Sequence, residues 1–149
     1  MQTPYTTDVL AWAHEQAALM RSGQLAALDI EHLAEELETM GASQRRELKN
    51  RLAVLLQHLL KWRFQPEHRS RSWEATLLEQ RSAIADALAD SPSLRTALPE
   101  CFAKAYPLAV RFAAKETGIA ERLFPTECPF DVELVLTEDW LPPDDTDRI

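Results

Sequence analysis

Leu48, Leu52, Leu55, Leu59 and Trp62 recur every three or four positions in a stretch, Ser43–Phe64, that holds neither proline nor glycine. That spacing is the period of an α-helix. It predicts one long helix whose apolar face, widened by Leu56 and Leu60, must be covered by other parts of the chain. Composition points the same way. The 149 residues include 22 Leu and 21 Ala, both strong helix formers, against 9 Val plus Ile. The expected fold class is therefore all-α, a helical bundle, and a hydrophobic fraction of 46% excludes a disordered chain.

Glycine and proline punctuate the rest. Thr7 and Asp8 can cap a first helix that runs to about Arg21 and stops at Gly23. Asp29 is a suitable cap for a second, with Ile30, Leu33, Leu37 and Met40 in helical spacing and Gly41 as its stop. After the long third helix, Pro66 marks a loop, and Ser70 or Ser72 caps a fourth helix from Trp73 to about Ala89. Ser91-Pro92 opens a fifth, which Pro99 and Pro107 are expected to kink or restart before it ends at Gly118. A short helix is expected over Asp131–Leu136. The whole reads as one helical domain: a core of four helices over 6–90, a helical extension over 91–141 packed on it, and a flexible acidic tail over 142–149.

Several function classes drop out. The longest apolar run, Leu52–Leu60, is broken by Gln57 and His58 and is too short to span a bilayer. The first residues lack the basic-then-apolar order of a secretory signal. Cys101 and Cys128 match no zinc or redox spacing, and the three glycines form no phosphate loop. A cytoplasmic protein with free, inert thiols is expected. The formal charge of −8 is uneven. Residues 1–41 hold 1 basic and 7 acidic groups, 42–81 hold 9 and 4, and 82–149 hold 6 and 13. A basic middle thus lies between acidic ends.

The basic middle also carries distinctive runs: His58-Leu-Leu-Lys-Trp62, Gln65-Pro66, Arg69, Ser72-Trp73 and Glu79-Gln-Arg81. With Leu33-Ala-Glu-Glu-Leu-Glu-Thr-Met-Gly41 upstream and Ser91-Pro-Ser-Leu94 downstream, the chain resembles the twenty-ninth domain-of-unknown-function family along almost its full length. The resemblance implies an all-helical fold and a bacterial source, and it supplies no catalytic residues.

One anomaly marks a place where function would sit. On a helical wheel Trp73, Leu77, Ile84 and Leu88 form a stripe, yet Gln80 and Arg81 fall on or beside it. A guanidinium facing a core needs compensation, so an acidic partner from another helix is expected for Arg81. Glu36 lies on the flank of the second helix, and Asp8 heads a row with Trp12 and Gln16 on the first. His58 lies on the flank of the third with Lys61 and Gln65. A bundle joining these flanks gathers Asp8, Glu36, His58, Gln80 and Arg81 into one polar layer. Such a layer can be a purely structural network, a small-molecule or anion pocket anchored by Arg81, or an acid–base or metal site.

For a metal, His58 with Glu35, Glu36 or Asp8 would suit zinc, iron or manganese. No helix carries paired histidines in ligand spacing, however, and no metal set is assigned. His32, among glutamates, reads as solvated, and His14 and His68 read as surface residues. Nucleic acid is the weakest class. Arg63, Arg69 and Arg71 cluster near Trp62, Phe64 and Trp73, but those aromatics suit core packing and the acidic ends repel phosphate. The leading expectation is a binding or protein-interaction module that uses the basic 61–71 corner or the acidic faces. An enzyme built on the polar layer is the alternative.

Overall fold

The structure, a computed structural model, describes residues 2–144. Of the tail expected at 142–149, residues 145–149 lie outside the described residues. Four long helices and one short one are joined by turns: α1 (Val9–Arg21), α2 (Ile30–Phe64), α3 (Arg71–Asp90), α4 (Leu94–Thr117) and α5 (Val132–Leu136). No strand occurs among the described residues, and the fold is an all-α helical bundle. Two compact units divide the chain, Met1–Ser43 and Gln44–Ile149.

Helix ends follow local chemistry. Asp8 accepts the Ala11 N–H at 3.0 Å, Ser70 accepts the Trp73 N–H at 3.3 Å, and Asp131 accepts two N–H groups of α5. Gly23 and Gly118, both at φ +76°, stop α1 and α4 in a backbone region that other residues rarely enter. Gly41 does not act this way. The stop expected there is absent, and residues read as two helices form α2, 35 residues long. Starting a new helix costs far more than extending one through a single glycine, which costs only about 1 kcal/mol relative to alanine. With no proline nearby to forbid the next turn, extension wins. Of the kink or restart expected in the fifth helix, the restart is absent: α4 runs through both Pro99 and Pro107.

The apolar core lies in the second unit. Leu52, Leu55, Leu56, Leu59 and Leu60 of α2 are fully buried, each worth about 1.5–3 kcal/mol relative to exposure. Leu77 and Ile84 of α3 meet them, and so do Leu94 and Leu98 of α4. Ala105, Ala109 and Ala113 form a row of small residues on α4, which lets its backbone approach its neighbours closely. Phe124, Phe130 and Val135 complete the core, so residues 91–141 contribute to the same core as α2. Tyr106 is held there by its hydroxyl, which donates to the Pro125 carbonyl at 2.5 Å. Burial pushes that phenol up to about 12.

Candidate functional site

The first unit has little apolar interior. Only Trp12 and Gln16 of α1 are buried within it, and a polar–aromatic cluster holds it together. Asp29 is the hub. Its Oδ2 accepts the Trp12 indole N–H at 3.1 Å and lies 2.7 Å from His32 Nδ1. Its backbone N–H donates to Gln16 Oε1 at 2.8 Å. The Tyr5 ring stacks on His32 with centroids 4.2 Å apart, and Trp12 meets Tyr5 edge-on at 4.9 Å. The Tyr5 hydroxyl donates to Glu36, which raises the phenol above its ordinary value.

Because these contacts are made by short polar groups and three rings, most of the unit's large aliphatic side chains are left outside. Val9, Leu10, Met20, Leu25, Ile30, Leu37 and Met40 are exposed, seven of the eleven large exposed apolar residues described. Four of the unit's residues define one stripe on α2. Ile30, the half-buried Leu33, Leu37 and Met40 follow an i, i+3, i+7, i+10 spacing, with Leu37 67% exposed. Glu36 flanks it, Glu31, Glu35 and Glu38 lie on the far side of the helix, and no Lys or Arg occurs between Arg21 and Arg45.

The five residues of the expected polar layer are placed as follows. Asp8 and Glu36 belong to the first unit, as the cap of α1 and the acceptor of Tyr5. His58, Gln80 and Arg81 belong to the second, and no hydrogen bond or ion pair among the described residues joins any two of these three. His58 Nδ1 lies 2.9 Å from the Val54 carbonyl, and burial lowers its pKa, with Lys61 adding to the effect. Gln80 accepts from Arg51 at 3.3 Å.

Arg81 departs from expectation most. It is buried, but in place of a carboxylate it meets two backbone carbonyls, Val135 at 2.8 Å through Nε and Trp140 at 2.7 Å through Nη2. The chain after α5 offers carbonyls that no helix uses, and a guanidinium satisfies them with its fixed fork of donors. The flank of α2 that carries His58 finds its partners on α4. Lys61, buried against the Trp73 ring at 4.6 Å, pairs with Glu116 at 2.5 Å, and Gln65 donates to the Thr117 carbonyl at 3.4 Å. No three of His, Cys, Asp and Glu converge on a metal position among the described residues.

Residues 4–141 match the family model described as domain of unknown function DUF29. The chain belongs to this family. No curated protein and no solved structure matches it. In this DUF29 chain no described helix is long and apolar enough to cross a membrane.

Sequence reasoning missed two features of the DUF29 chain. His32, read as solvated, is a ring in the Asp29 cluster; the signal was Asp29 itself, one turn before it and already recognised as a cap. Lys61 was placed on a flank but not recognised as buried; its partner Glu116 is 55 positions away, so no local pattern announces it.

Proposed function

We propose that the protein is a cytoplasmic protein-interaction module whose docking face is the α2 stripe Ile30, Leu33, Leu37 and Met40, and that its partner presents a basic amphipathic helix. The exposure of this stripe carries the reading. A contiguous apolar row left in water is disfavoured unless something covers it. Its spacing suits a helix laid alongside. Glu36 on its flank, in a segment that carries acidic groups and no Lys or Arg between Arg21 and Arg45, favours a cationic partner and disfavours pairing the stripe with its own copy. The basic 61–71 stretch supports a docking role less well, because Lys61 is paired with Glu116 and Arg69 with the Trp62 carbonyl and Asp144.

A fluorescence-anisotropy titration tests the proposal. The probe is an 18-residue Leu/Lys peptide in helical register, with a scrambled peptide of the same composition as control. The register peptide should saturate at micromolar concentrations, and Leu37→Asp should weaken it roughly tenfold or more without loss of helical circular dichroism. Equal binding of the scrambled peptide, or concentration-dependent self-association of the chain in place of peptide binding, would overturn it.

A further inference from the structure

The second unit contains a groove of about 460 Å³ between α3, the start of α4 and α5, and Arg81 lines it. That volume lies within the range of small-ligand sites, roughly 300–1,000 Å³. Leu88, Pro92 and Leu136 form apolar walls. The charged groups are Arg81, Arg95 and Glu133. Glu133 lies 3.7 Å from Arg95, so those two charges offset each other and the charge of Arg81 is left over.

Arg81 is only 7% exposed, and no carboxylate among the described residues comes within ion-pair distance of it. Of its five N–H donors, one on Nε and one on Nη2 are taken by carbonyls, which carry partial charge only. Nη1 has no hydrogen-bond partner among the described residues. Asp139 favours the cation from beyond ion-pair distance, but burial outweighs it, so the charge is incompletely compensated and an anion in direct contact relieves the cost. A second groove of about 300 Å³ also touches Arg81, but Glu74, Glu138 and Asp139 line it and make it hostile to anions. The first groove is the side on which negative charge is favoured.

We propose that this groove binds a small monocarboxylate with an apolar body, its carboxylate on Arg81 and its body against Leu88, Pro92 and Leu136. One positive charge without a carboxylate in direct contact matches a single negative one. Guanidinium N–H groups match carboxylate geometry, and the aliphatic walls favour a short alkyl or aryl acid over a hydrated inorganic anion. This site lies wholly within the second unit and is independent of the α2 docking face.

The test is a nitrogen-15 NMR titration of the full chain with hexanoate, hexanol and inorganic phosphate in parallel. Hexanoate should give saturable shifts at the amides of Ala85, Leu88 and Leu136, with hexanol and phosphate binding roughly tenfold more weakly or not at all. Ala85, exposed on α3 at the groove's edge, provides a variant that avoids the core. Ala85→Trp should abolish the hexanoate shifts in a chain that stays folded, and Arg81→Gln should weaken them roughly tenfold where it folds. Equal binding of hexanol and hexanoate, unchanged shifts in Ala85→Trp, or no saturable shift up to about 10 mM would overturn the assignment.

Discussion

Asp29 concentrates the chemistry of the first unit in one carboxylate. It receives the Trp12 indole, meets His32 and sits at the head of α2, and its hydrogen bond with His32 is the main reason its pKa is lowered. An acid whose folded pKa is depressed contributes stability that is present above its unfolded value, near 3.9, and is lost as pH falls through the lower folded value. The Trp12 indole N–H resonance should therefore hold its position down to about pH 4 and move toward the free-indole position below it. In Asp29→Ala the displaced position should appear already at neutral pH. An indole signal indifferent to both changes would mean that the carboxylate does not organise this cluster.

At the scale of elements, α2 shows what sequence reasoning can and cannot reach. Its apolar rows, its cap at Asp29 and its end near Phe64 were all legible, because each depends on residues within a turn or two. Gly41 was misread because a glycine can stop a helix or lie within one. The decision depends on whether the next turn is cheaper to extend than to end, and the residue alone does not reveal it. A substitution separates the two cases. In mid-helix, Gly41→Ala should stabilise the chain by about 0.5–1 kcal/mol, seen as a raised thermal midpoint. At a left-handed stop the same change would destabilise it.

The candidate site was legible to a different degree. Arg81 was singled out correctly as a cation on a core-facing stripe, whereas its partners were not foreseen. They are carbonyls 54 and 59 positions away, and carbonyls leave no mark in a side-chain pattern.

For the whole molecule, the order of charges matters more than their total. The formal charge of −8 conceals a first unit with one arginine and seven acidic groups. That unit is built on rings and polar groups and leaves Leu10, Leu25, Leu37, Met20 and Met40 in water, whereas the second unit buries its leucines on α2 from Leu48 to Leu60. The all-α class was legible from leucine and alanine content, since helix propensity is local. The contrast between the units was not, since it depends on which stripes find cover. Methyl NMR of the full chain titrated with the Leu/Lys peptide tests the account most directly. Shifts should concentrate on Ile30, Leu33, Leu37 and Met40 and spare Leu52, Leu55 and Leu59. Shifts centred on the 61–71 stretch instead, or none at saturating peptide, would contradict it.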